Sequence, residues 1–169
     1  MKIEIVAAMS DNRVIGKDGG LPWSMPADER FLHNHIAGAY LLTGRKSFES
    51  NQGKTLFQDK AYVIITSQQD YEPGEGGALA HSLESGIAKA RQSGNTRLCI
   101  LGGGKIYEQA MRFTDELVLT EVHTKISDGD AFFPEIDEQA WEVYKREDHP
   151  ADEENPYAYS FVFYRRKVQ

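Results

Sequence analysis

Short runs of consecutive apolar residues recur along the 169-residue chain, separated by stretches where apolar residues fall three and four apart. "KIEIVAAM" (apolar from Ile5 to Met9), "AYLLTG", "AYVIITS", "RLCIL" and "ELVLTEV" are each apolar on successive residues, the pattern of a strand covered on both faces. Helices are expected where the period changes. One spans about residues 26 to 36, with Ser24 as its N-cap, Pro26 in its first turn, and Asp28 and Glu29 near its positive end. A short one starts at "RKSFES", and Ser82 caps another that carries Leu83, Ile87 and Ala90 on one face. "GGGKIYEQAM" turns from a strand into a further helix. "SDNRVIGKDGG" reads as a loop, "YEPGEGGA" as a polar excursion, and "DGDAFFPEIDE" as a solvated turn before a strand. "WEVYKRE" and "YAYSFVFYRR" alternate as an antiparallel pair does. No internal repeat or low-complexity segment interrupts this order. It predicts a single α/β domain over residues 1–169: a central, mostly parallel sheet with an antiparallel C-terminal edge, flanked by helices. Ligands of such sheets sit at the carboxyl ends of strands, and "TGRKS", "TSQ" and "LGGGKIY" are strand ends of that kind here.

Composition narrows the partners. The net charge is −7, which argues against a nucleic-acid backbone as ligand, because that affinity needs clustered cations. Cys99 is the single cysteine, so an intrachain disulfide and a cysteine metal cluster are both excluded, and a reducing cytoplasm is the expected compartment. The apolar run at the N-terminus is too short for a signal peptide and contains Glu4. Eighteen consecutive apolar residues occur nowhere, so no membrane span is expected. No metal is expected either: the five histidines make no HExxH pattern, and the acidic "DGDAFFPEIDE" lacks calcium-loop spacing.

Three constellations carry candidate chemistry. In "ILGGGKIYE", three glycines between a strand and a helix let backbone approach a ligand, and the helix start offers free N–H groups to a phosphate; the same residues also suit a plain tight turn. The spacing is not GxGxxG. In "TGRKSFES", Arg45 and Lys46 stand at a helix start, where cations oppose the helix dipole unless an anion intervenes; a solvated basic pair is the alternative. Asp28 shares a helix face with Phe31 and Leu32. If that face is inward, the carboxylate is buried and needs a hydrogen-bonding ligand; if outward, it is an exposed acid favoured by the dipole.

Together these segments resemble bacterial dihydrofolate reductase of the chromosomal type. "VAAMSDNRVIGKDGGLPWSMPAD", "LLTGRKSFES", "ILGGGKIYEQAM", "LVLTEV" and "GDAFFPEI" occur in that family's order and spacing, nearly end to end. The resemblance implies transfer of a hydride from NADPH to C6 of 7,8-dihydrofolate, with protonation at N5. By similarity Asp28 would hold the pterin 2-amino group and N3, Thr120 would support it, Trp23 would position an ordered water, and Leu21 would close over the pterin. Val6, Ala7, Ala8 and Leu32 would line the substrate slot. The proton for N5 would come from water, with Asp28 acting electrostatically.

On the cofactor side the resemblance places Gly103, Gly104 and Tyr107 by the nicotinamide and pyrophosphate, with a cis peptide between Gly102 and Gly103. Arg45, Lys46 and Ser47 would take phosphates, Arg45 and Ser67 would lie near the 2′-phosphate, and Ala8 and Ile15 would touch the nicotinamide. Gly44, Thr66, Lys105 and Ile106 complete the implied cofactor set. The glycine loop at 16 to 20 would open and close over the site.

Three positions depart from the family pattern. Lys60 aligns where an Arg commonly grips the substrate's glutamate α-carboxylate, and lysine lacks the bidentate fork. Glu29 and Asn51 stand where apolar contacts are usual, positions that bear on tail recognition and antifolate response. Two rivals are a pyrimidine reductase of riboflavin synthesis, which would lack the run from Trp23 to Asp28, and a pterin- or nucleotide-binding protein without turnover. The expected protein is a soluble cytoplasmic monomer whose partners are dihydrofolate and antifolate inhibitors, with no nucleic-acid or membrane partner.

Overall fold

All five apolar runs become strands of one eight-stranded sheet. A computed structural model describes residues 1–50 and 55–168; Asn51 lies outside them. The strands are β1 (Lys2–Ser10), β2 (Val14–Gly16), β3 (Tyr40–Gly44), β4 (Tyr62–Ile65), β5 (Gly77–Ala80), β6 (Arg97–Ile100), β7 (Glu116–Val122), β8 (Ala131–Phe132), β9 (Trp141–His149) and β10 (Tyr159–Arg166). The helices that matter below are α1 (Pro26–Ile36), α2 (Arg45–Glu49), α3 (Leu83–Gln92) and α4 (Gly104–Ala110). The large sheet has the order β5-β4-β3-β6-β1-β7-β10-β9. Its strands are parallel from β5 to β7, and β10 joins antiparallel to both β7 and β9.

Both faces are covered, which is why the parallel strands carry runs of consecutive apolar residues. Leu42, Leu98, Ile100, Leu117 and Leu119 pack on one side with Leu83, Ile87 and Ala90 of α3 and with Tyr107 and Ala110 of α4. Their strand neighbours Leu41, Cys99 and Val118 pack on the other side with Ile36 of α1, Leu56 and Phe57. α3 reaches its close packing through Gly86. A Cβ there would lie 2.5 Å from Ile65 Cδ1 and 3.0 Å from Leu42 Cδ1, inside van der Waals contact.

Four local expectations are corrected. "SDNRVIGKDGG" is not all loop, and "DGDAFFPEIDE" is not a solvated turn: β2 and β8 pair antiparallel, and Phe133 beside them is fully buried, its ring 5.2 Å from that of Tyr107. "YEPGEGGA" ends in β5, a parallel edge strand. Ser24 does not cap α1. The N-cap position is Met25, without a side-chain cap, and the N–H of Ala27 donates instead to Asn155 Oδ1 at 3.1 Å. Asn155 is itself buried and held by Asp152, so a residue 128 positions away closes the helix start.

Candidate active site

The carboxyl ends of β1, β3, β6 and β7 surround a cleft of about 380 Å³. It lies where the chain, having left central β1 toward β3 on one side, later returns through β6 and crosses to β7 on the other, the kind of place where parallel sheets bind ligands.

Asp28 stands in the wall of this cleft, 8 % exposed. The open question about α1 is thereby settled: its face with Asp28, Phe31 and Leu32 points inward, and all three line the cleft. Burial pushes the Asp28 carboxyl up to about 6; a hydrogen bond from the Thr120 hydroxyl partly offsets this, and the neighbouring Glu29 charge adds to it. Val6, Ala7 and Ala8 of β1 form the adjoining wall. Trp23 is buried behind it with Met25, Val122, Tyr159 and Phe161, and among the described residues its indole Nε1 has no hydrogen-bond partner.

The glycine turn forms the opposite side. Gly102 has φ +116°, and the Gly102–Gly103 peptide is cis. The strand end of β3 clasps this turn: the N–H of Gly44 and the hydroxyl of Thr43 both donate to Gly102 O, at 2.9 and 3.2 Å. Gly102, Gly103, Gly104, Tyr107, Lys46 and Ser47 all line the cleft. The Tyr107 hydroxyl donates to Val6 O at 2.9 Å, which ties the glycine-turn side to the β1 wall, and complete burial raises its pKa well above the ordinary phenol value.

A lid covers one end. Lys17, Asp18, Gly19 and Gly20 make a tight hairpin turn, with Lys17 and Gly20 exchanging two backbone hydrogen bonds and Asp18 and Gly19 at φ +49° and +79°. Asp130 straps it down. Its N–H donates to Gly16 O at 3.0 Å, its carboxylate accepts from the N–H of Asp18 at 2.9 Å, and Lys17 pairs with Asp128 nearby. Ile15, Gly19, Gly20 and Leu21 face the cleft from this lid.

Other expected site residues lie off the lining. Arg45 pairs with Glu49 one turn later, at 2.7 Å, so the local acid answers the dipole conflict at that helix start. Lys105 and Ser67 are exposed; Thr66 is buried, its hydroxyl accepting from the N–H of Gln68. Ile106 is half-buried and would meet a Cβ placed on Gly44. Lys60 is half-buried ahead of β4, outside the lining. Lining residues that the sequence did not assign to the site include Phe31, Thr43, Leu56, Phe57 and Asp130. A polar Thr beside the expected Gly44 was a readable signal for Thr43; nothing local marked Asp130.

The donor set suits an elongated anion. The first turn of α4 has no side-chain cap, the three glycines present bare backbone, and a lysine and a hydroxyl share the same wall. Such a wall fits the phosphates of a dinucleotide, with the neutral slot between Ala7, Ile15 and Gly102 left for a flat ring.

Comparison with known proteins agrees. The family model for dihydrofolate reductase matches residues 2–166. The chain is 34% identical over 165 residues to the dihydrofolate reductase of Bacillus subtilis, covering 98% of this chain and 95% of that one. It is 35% identical over 167 residues to that of Haemophilus influenzae, covering 99% and 100%. Among solved structures, dihydrofolate reductase from Enterococcus faecalis, complexed with NADP(H) and RAB-propyl, superposes with a TM-score of 0.85 at 30% identity, over 99% of this chain and 97% of that chain.

Proposed function

The chain belongs to the dihydrofolate reductase family, and from that premise we propose that it reduces 7,8-dihydrofolate to 5,6,7,8-tetrahydrofolate with NADPH. The observation that carries this is Asp28, a carboxylate buried in the cleft wall across from the glycine turn, with the Thr120 hydroxyl as its partner. Bound NADPH supplies the hydride that C6 of the pterin accepts, while N5 gains a proton from solvent. Asp28 accepts from the 2-amino group and from N3–H in two parallel charge-assisted bonds, which fix the ring and favour its protonated form. Val6, Ala7, Ala8 and Leu32 flank the ring, and Leu21 closes over it. The buried indole N–H of Trp23 offers a donor to an ordered water beside the carboxylate. Lys46, Ser47 and the N–H groups after the glycine turn take the phosphates, with Arg45, Thr66 and Ser67 at the outer edge. The glutamate tail leaves past Phe31, Leu32, Leu56 and Phe57, where Lys60 would grip it less firmly than an arginine. Glu29, expected to face the substrate, is exposed on the other side of α1, because it is one residue round the helix from Asp28.

We read the protein as a cytoplasmic monomer that also takes antifolates in this cleft. No helix among the described residues is long and apolar enough to cross a membrane.

Purified protein with dihydrofolate should oxidise NADPH, and absence of turnover would sink the proposal. Asp28→Asn should lower kcat/KM at pH 7 on the order of a hundredfold, since two charge-assisted bonds are lost. An Asn variant that turns over as fast as wild type would remove Asp28 from its assigned place.

A further inference from the structure

The reaction leaves a buried acid unused. Glu4 on β1 is 1 % exposed and sits beneath the far end of α1. Its Oε1 accepts from His35 Nε2–H at 2.7 Å and its Oε2 from Arg97 Nε–H at 2.9 Å. Arg97 on β6 also donates through Nη2 to His35 O at 2.7 Å, placing a cation at the negative end of the helix. Glu4, His35 and Cys99 offer donor atoms within 4.8 Å of one another, a set that zinc takes, but the Arg97 guanidinium already supplies the cation there, 3.7 Å from Cys99 Sγ.

The place of these groups along α1 gives them a different use. Asp28, Phe31, Leu32 and His35 are spaced i, i+3, i+4 and i+7, one stripe down the inner face of the helix. The stripe is polar at both ends and apolar between. At one end Asp28 meets Thr120 of β7; at the other His35 meets Glu4 of β1. The apolar middle holds α1 by flat contacts: Phe31 stacks on Phe161 with centroids 4.0 Å apart and planes 10° apart, a geometry that tolerates sliding. Directional hydrogen bonds do not tolerate it.

We propose that Glu4, His35 and Arg97 form a positioning site that fixes the axial register and rotation of α1, and thereby sets where Asp28 meets the pterin. The proposal rests on the dihydrofolate reading of the cleft. The cofactor wall is lined from α2, the glycine turn and α4, and none of its lining side chains bonds to Glu4, His35 or Arg97, so the effect falls chiefly on the substrate.

The test uses the full chain as Glu4→Gln, as His35→Asn and as the pair, assayed well below their melting temperatures. His35→Asn leaves the Glu4–Arg97 pair and the Arg97 bond to the residue-35 carbonyl in place, so it serves if Glu4→Gln does not fold. Each variant should raise the KM for dihydrofolate on the order of tenfold, as small misplacements of a binding group do, while the Kd for NADPH stays within about twofold. The double variant should be no worse than the worse single one, because the two changes break one link. A KM that does not move, or a KM and Kd that rise together, would overturn the proposal, the second result showing general loosening. If wild type itself does not turn over dihydrofolate, the reductase reading fails first. The anchor is then judged by a carbon-13 titration of the Asp28 carboxyl: its midpoint should fall in His35→Asn as water reaches it, and an unmoved midpoint rejects the anchor.

Discussion

In the role proposed for it, Asp28 trades stability for a ligand. Its carboxyl is raised to about 6 in the folded protein from an ordinary 3.8, so its contribution to stability is full below about pH 4 and is lost as pH rises through 6. A shift of that size corresponds to about 3 kcal/mol. Asp28→Asn should therefore stabilise the ligand-free protein by about 3 kcal/mol at pH 8 and by nothing near pH 4. Denaturant melts at the two pH values check this, and equal curves for both proteins at pH 8 would refute it. The variant that gains stability is the one expected to lose turnover. From the sequence the acid was legible but its orientation was not. "MPADERFLHNH" permits either face inward, and what decides is Thr120, 92 positions on, together with a cleft wall built from other strands. Ser24 misled for a similar reason: it had the right chemistry and adjacency, whereas the group that satisfies the helix start, Asn155, arrives from the far end of the chain.

The elements that escaped the sequence are the short ones. β2 has three residues and β8 two, too few for alternation to declare itself, and both lie among glycines and acids that read as loop. Their pairing is what docks the lid. Asp130 touches Gly16 and Asp18 through backbone and side chain together, so it holds the turn in one orientation over Ile15 and Leu21. Asp130→Ala should slow the hydride step in single-turnover stopped-flow on the order of tenfold, because the lid no longer rests closed. It should change global stability by less than about 1 kcal/mol, since the lost bond lies at the exposed surface. An unchanged single-turnover rate would show that the lid closes without the strap. The long elements were readable because each repeats its signal. α3 shows Leu83, Ile87 and Ala90 on one face, and five of the six parallel strands carry consecutive apolar residues because helices cover both sides of the sheet.

Across the whole molecule, two buried carboxylates make stability respond to acid in opposite directions. Burial alone would raise Glu4, but hydrogen bonds from His35 and Arg97 and their charges outweigh it and hold the group at about 2, against an ordinary 4.5. Its stabilisation is present above pH 4.5 and is lost as pH falls toward 2, a span worth about 3 kcal/mol. Glu4→Gln should cost about that much at pH 7, and the gap to wild type should narrow through acid titration below pH 4.5; a gap constant down to pH 3 would contradict the assignment. For these two groups together, the ligand-free protein is most stable near pH 4 to 5. The mostly parallel sheet with its antiparallel C-terminal edge follows from the alternation of runs and helices, whereas the strand order and the long-range polar ties that finish the molecule leave no local trace. The Asn155 tie has a further consequence for how the protein comes into being. The residue that closes the start of α1, and the Phe161 ring on which Phe31 stacks, both follow every strand and helix of the cofactor wall in order of synthesis. In order of synthesis, the residues on the glycine-turn side of the cleft are therefore all made before the group that closes the helix carrying Asp28.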